Sequence, residues 1–391
     1  MKLAVLTFII AVGYFPGLPS NAAVGRWIAV GIGAAILSYS IRLRPTPELW
    51  AWGALLLWIL LGFAWCVSAW DHAGGLLQWS VLAVVFFVGM STISLERVWI
   101  ALAAGVSVSA AFALLQRFGI ETVWTVSTDS AVGLFLSKNM AGEIAVLALI
   151  GALSLRGRYF WLSIGPTVAI YLLASRATWV ALLVAGVAYL WIGVTRQERV
   201  DRALALVFFL ILALVTAHAY GRLPADVFRL EDRLSIWSVI VPQISPWGDG
   251  LGSVAVALTS VEFAHNEFIH YAFELGIGSL LIWGIAARGL FAPDGTTEKV
   301  ALAALATFCL VWFPLHAPAT AFMGALMAGH LCGRRYLARD LELTRGADRG
   351  GGTSISEPIG VGSLSTADLG RVYLSAGSEY PMVAGAIRPS L

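Results

Sequence analysis

The chain has 391 residues, 59% hydrophobic and only 12% charged, with 25 Lys and Arg against 23 Asp and Glu and a net charge of +2. A water-soluble domain carries about 25% charged residues, so a soluble enzyme, a secreted disulfide scaffold and a disordered chain are all excluded, and the charge is too small to point to nucleic acid. Cys66, Cys309 and Cys332 lie far apart, in or at the ends of apolar runs, and read as packing residues in an all-α integral membrane protein.

A membrane-crossing helix needs about 20 mainly apolar residues. Lys2, the apolar run 3–12 and the small residues around 20–23 imitate a secretory signal. Cleaved or kept, that segment leaves residue 24 on the outer side. Hydropathy predicts twelve helices over 3–15, 24–41, 49–67, 74–91, 97–117, 139–155, 158–174, 177–194, 203–220, 266–287, 299–313 and 317–333. Trp50, Trp70, Trp99, Trp161, Trp179 and Trp191 fall near their ends, as an aromatic belt requires. Two outer connections are long, 118–138 and 221–265, and loops of such length are commonly functional. In the second, Phe228, Leu230, Leu234, Ile236, Trp237 and Ile240 recur at near-helical spacing. They predict an amphipathic helix on the outer membrane surface, ended by Pro242. Residues 1–338 thus read as one polytopic domain, and the Gly-, Ser- and Thr-rich stretch 339–391 as a disordered cytoplasmic tail.

Orientation follows the distribution of lysine and arginine. One set of loops holds Lys2, Arg42, Arg44, Arg97, Arg156, Arg158, Arg196, Arg199, Arg202, Arg288, Lys299, Arg334, Arg335 and Arg339. The opposite set holds fewer: Arg26, Arg117, Lys138, Arg176, Arg222, Arg229 and Arg233. Both termini are therefore expected in the cytoplasm, and the outer positives stand out as candidates for function.

Four groups of residues could carry chemistry. His265-Asn266-Glu267 opens the tenth predicted helix and continues through His270 to Glu274. Glu267, His270 and Glu274 are spaced to share one face, and polar groups inside a membrane helix are costly. The structural alternative is an N-terminal cap by Asn266 with a His270–Glu274 pair inside the bundle. Arg233-Leu234-Ser235-Ile236-Trp237, followed by Pro246 and Gly248-Asp249-Gly250-Leu251-Gly252, offers a guanidinium fork, an interfacial anchor and a tight turn. Ser175-Arg176-Ala177-Thr178 places an arginine at a membrane boundary, where snorkelling outward is the plainer explanation. Lys138-Asn139 opens the sixth helix, an anion-attracting position that simple helix capping explains equally well. No metal is expected. Glu267-x-x-His270 is half of a dimetal signature with no second copy, and the His265–His270 spacing is not that of a zinc protease.

Together Lys138, Arg176, Arg229 and Arg233, with His265 nearby, suit a lipid-linked diphosphate. Arginines stabilise the charge developing on a departing pyrophosphate, and a histidine can take the proton of an attacking hydroxyl. The order Ser137-Lys138-Asn139-Met140-Ala141-Gly142, Ser175-Arg176, Arg233-x-x-Ile236-Trp237, Pro246 to Gly252, and His265-Asn266 to Glu274-Leu275-Gly276 resembles the O-antigen ligase and polymerase superfamily over residues 130–285. The resemblance implies a GT-C-like, metal-independent, inverting glycosyltransferase without a cofactor, in the bacterial inner membrane. Its donor is a glycan on undecaprenyl pyrophosphate, and its acceptor is lipid A–core (ligase) or another lipid-linked repeat unit (polymerase), on the periplasmic side. It assigns pyrophosphate binding to Arg176 and Arg233, joined here by Arg229 and Lys138, and the base to His265. Asn139, Asn266, His270, Glu274 and Trp237 are supporting residues. Membrane lipid, a chain-length regulator or other assembly proteins are candidate partners, and Lys138-Asn139 draws the resemblance toward the polymerases. A lipid-linked glycan flippase is the competing class, but it calls for charges deep in both halves of the bundle.

Overall fold

A computed structural model describes residues 1–13, 21–39, 41, 45–120, 132–135, 137–155, 157–173, 175–192, 230–258 and 263–350. The chain divides into two units, Met1–Arg339 and Asp340–Leu391. All regular structure among the described residues is helical. In chain order it comprises α1 (Lys2–Val12), α2 (Asn21–Ser38), α3 (Pro47–Gly62), α4 (Ala69–Met90), α5 (Glu96–Arg117) and α6 (Lys138–Ser154). A 3₁₀ segment, Gly157–Ser163, leads into α7 (Ile164–Leu173), followed by α8 (Arg176–Trp191). Then come α9 (Leu230–Ile240), the short α10 (Ser253–Ala257), α11 (Glu267–Leu275), α12 (Ser279–Leu290), α13 (Thr296–Val311) and α14 (Pro318–Gly350).

Eleven of the twelve segments expected from hydropathy coincide with these helices, and the one over 203–220 lies outside the described residues. Three stretches are long and apolar enough to cross a membrane: Ala69–Met90, Glu96–Arg117 and Glu267–Leu290. The last is α11 and α12 joined through a single 3₁₀ turn, Gly276–Gly278. Several other apolar helices are shorter, 10–17 residues. The architecture is compatible with a helical membrane protein. The segment expected to be amphipathic is helical as α9, followed by a 3₁₀ turn, Val241–Gln243, that contains Pro242. The helix that begins at Pro318 continues to Gly350, past the expected start of the tail; residues 351–391 lie outside the described residues.

α6 is the hub. Its residues Ala141–Leu149 are all buried, and it packs on α5, α7, α8 and α13, as a helix apolar on every side must. Small residues bring backbones together where the bundle is tightest, the usual solution for helices inside lipid. A Cβ on Gly142 would sit 2.0 Å from Thr178 Oγ1, and one on Gly329 only 1.9 Å from Phe86 O. Gly142 thus fits α6 against α8, and Gly329 fits α14 against α4.

The two ends of the bundle differ in chemistry. At one end, buried Glu48 at the start of α3 pairs with Arg288 from α12 and accepts from the Tyr336 hydroxyl of α14, and Arg334 pairs with Asp294. At the other lie α9, the segment 244–252 and the start of α11.

Candidate functional site

Three segments converge around His265. Asn266 caps α11, its Oδ1 accepting from Ile269 N at 3.1 Å while its Nδ2 donates to Leu310 O at 3.1 Å. The cap expected as the structural alternative is therefore present, and it also fixes the entry of the chain into α11. From α9, Trp237 Nε1 donates to Ala264 O at 2.8 Å, so the surface helix holds the backbone next to His265. From the far end of α13, Trp312 packs beside the imidazole with ring centroids 4.9 Å apart.

His265 itself is unusual. Its φ is +53°, the one positive φ at a non-glycine position among the described residues. Histidine is among the residues enriched in this left-handed region, but side chains still rarely occupy it. Its Nδ1 is buried without a hydrogen-bond partner among the described residues. Burial lowers its pKa below the ordinary 6.5, and the charges of Arg233 and His270 lower it further. The ring is therefore neutral near pH 7 and able to accept a proton. Arg233 is half-buried on α9, and burial lowers its pKa too. An arginine remains cationic across the physiological range, and Arg233 has no ion-pair partner among the described residues.

The glycine segment Gly248–Gly252 is a strap that finishes α11. Asp249 N and Gly250 N donate to Phe273 O and Glu274 O at 3.0 and 2.9 Å, and Ile277 N returns a bond to Pro246 O at 2.9 Å. These are carbonyls of the last helical turn, which lack partners within the helix. The Glu274 side chain completes the join by accepting from Gly252 N at 2.7 Å. Gly248 has φ +71°, and a Cβ there would lie 2.3 Å from Glu274 O, so both its conformation and its space call for glycine. His72 of α4 locks the far side of the strap. It accepts from Leu251 N at Nδ1 (2.8 Å), while Nε2 lies 2.6 Å from Ile59 O. The first contact makes Nδ1 an acceptor, so the proton sits on Nε2 and donates to Ile59.

Of the predicted residues, His265, Asn266, Arg233 and Trp237 gather at this end of the bundle. His270 and Glu274 lie just beneath, paired at 3.2 Å and almost wholly buried. The Lys138–Asn139 and Ser175–Arg176 motifs meet each other. The Ser175 hydroxyl donates to Asn139 Oδ1 at 2.7 Å, and Ser137 caps α6 by accepting from Met140 N. Lys138 is exposed at the first position of α6, and Arg176 opens α8. Arg229 lies outside the described residues.

Two participants have no counterpart in the sequence reading. His316, between Pro314 and Pro318, turns its Nδ1 to the Glu267 carboxylate at 3.2–3.3 Å. Thr320 brings its hydroxyl to 3.2 Å from Glu143 Oε2. The available signal was a histidine kept in an otherwise apolar connector, Phe313-Pro314-Leu315-His316-Ala317. No protein-family model matches the sequence, and no characterised protein is significantly similar to it.

Proposed function

We propose that the chain is a membrane glycosyltransferase of the O-antigen ligase type. It would move a glycan from undecaprenyl pyrophosphate to a hydroxyl of lipid A–core at the periplasmic face of the bacterial inner membrane. The observation that carries this reading is His265: held at a left-handed backbone angle, with an unpartnered Nδ1 and a lowered pKa, beside the half-buried Arg233. Strained, partnerless groups are retained where they serve a function, and a neutral imidazole next to a cation suits one reaction in particular. The acceptor oxygen attacks the anomeric carbon as the bond from that carbon to the pyrophosphate oxygen breaks. His265 takes the hydroxyl proton, and Arg233 with Arg176, Arg229 and Lys138 offsets the charge left on undecaprenyl pyrophosphate. Attack opposite the leaving group inverts the anomeric centre, and no metal is asked of the reacting atoms. A GT-C-like bundle of twelve spans with both termini cytoplasmic is part of the same proposal.

The Ser175–Asn139 bond favours a second reading, a polymerase whose acceptor is another lipid-linked repeat unit. It ties the Lys138-Asn139 pair, the feature shared with polymerases, to the Ser175-Arg176 motif. The test is an analysis of lipid extracts and lipopolysaccharide from a strain lacking the gene. Polymer that accumulates on the lipid carrier without reaching lipid A–core identifies a ligase. Single repeats alone identify a polymerase. Normal amounts of both species would refute transfer in this pathway and leave the flippase class to be tested.

A further inference from the structure

Behind His265 lies a second cluster, to which the proposed transfer assigns no chemical step. His270 and Glu274 stand one turn apart on α11, with Nε2 and Oε1 separated by 3.2 Å. His316 enters the same space from the connector between α13 and α14, its ring centroid 4.5 Å from that of His270. One ligand atom from each of these three residues lies within 4.8 Å of the other two. His270 and Glu274 are each only 2% exposed. Phe263 and Tyr271 pack against the two imidazoles. The buried Tyr271 hydroxyl at its edge makes no hydrogen bond among the described residues.

Two chemical features point the same way. Two imidazoles and one carboxylate are a donor set that zinc takes with its fourth position open, and nitrogen-rich sites disfavour magnesium and calcium. His316 gives Nδ1 to Glu267, which leaves its other nitrogen as the ligand. A carboxylate behind a ligating imidazole is the usual outer support of such sites.

We propose that His270, Glu274 and His316 bind a single Zn²⁺ ion, with Glu267 orienting His316. The bound ion would join α11 to the 312–317 connector and, through Glu274, to the glycine strap. Binding replaces the 3.2 Å contact between His270 Nε2 and Glu274 Oε1. It also sacrifices the long 3.5 Å contact from Ala264 N to His270 Nδ1. The proposal does not rest on the glycosyltransferase reading.

The test is metal analysis of the full chain purified in detergent, followed by titration of the metal-free protein with Co²⁺ as an optical probe. The expected result is about one zinc per chain and a visible Co²⁺ ligand-field band that His316→Ala abolishes. Glu267→Gln keeps the band but weakens Co²⁺ binding about 10- to 100-fold, the range for losing an outer support. A wild-type chain with neither zinc nor a cobalt band overturns the site, as does a band that survives in His316→Ala. If His316→Ala does not fold, unchanged Co²⁺ affinity in Glu267→Gln overturns it as well. Neither readout involves transfer activity, so the two proposals stand or fall separately.

Discussion

A histidine at φ +53° is held there by its surroundings. The left-handed conformation costs on the order of 1 kcal/mol, offset here by the Trp237–Ala264 bond, the Asn266 cap and the Trp312 ring. This makes His265→Asn a cleaner probe than His265→Ala, because asparagine also tolerates that backbone. We expect His265→Asn to insert and fold as the wild type does and to lose at least ~100-fold in transfer rate, the lower range for a general base. Full activity would remove the histidine from the reaction. The pH profile offers a second check. The base must be neutral, and its pKa lies below 6.5, so kcat/KM falls only when pH drops through that depressed value. Arg233 contributes to the depression. Arg233→Gln should therefore shift the acid limb of the residual activity upward, toward 6.5. Arg233→Lys keeps the charge and leaves the limb in place, yet loses about 10-fold or more in rate with the bidentate fork. An acid limb that stays fixed in Arg233→Gln would separate the two residues.

Between elements, the strap and the end of α11 act as one unit. Gly248→Ala must place a Cβ 2.3 Å from Glu274 O at a φ of +71°. The strain alone is worth about 1–2 kcal/mol, and the clash adds to it. We expect a clear fall in the thermal unfolding midpoint in detergent. Gly284→Ala, in the middle of α12 with nothing near its Cβ position, should leave the midpoint level or raise it slightly, since glycine inside a helix costs about 0.5–1 kcal/mol relative to alanine. Equal effects of the two would deny the strap its capping role. The contrast also marks what hydropathy can reveal. Helix positions such as α5 at Glu96–Arg117, against an expected 97–117, follow from local composition. So do the helix α9 and the Asn266 cap. The strap's partners do not, because its hydrogen bonds run to carbonyls about 25 residues away. Its His72 lock comes from another helix altogether. His316 escaped for the same reason: one histidine in a short connector carries no period, and only folding brings it to Glu267.

At the scale of the whole bundle, the two polar ends make a topological prediction. α3 begins with Glu48 and reaches Trp58, whose Nε1 donates to Leu275 O beside the strap at 2.9 Å. α12 starts just after the end of α11 that the strap holds and returns to Arg288 next to Glu48. These two helices therefore run antiparallel between the end holding His265 and the end holding Glu48, Arg288 and Tyr336. α4 traverses the same distance, from His72 against the strap to Thr92 just past its end, whose carbonyl lies 2.8 Å from a ring nitrogen of His330. Lysine and arginine favour the cytoplasmic side, which assigns the Glu48–Arg288 end to the cytoplasm and the His265 end to the outside. Two exposed positions, Gln243 and Ser91, mark the two ends. In a Cys66→Ser background, where the remaining Cys309 and Cys332 are buried, Gln243→Cys should react with an impermeant maleimide on intact cells. Ser91→Cys should react only after the inner membrane is opened. The opposite pattern would reverse the orientation and put His265 on the cytoplasmic side, where a donor already moved to the outer leaflet could not reach it. Labelling of both positions in intact cells would deny that α4 crosses the membrane, and the bundle's separation into a charged end and a reactive end would then need a different boundary from the bilayer.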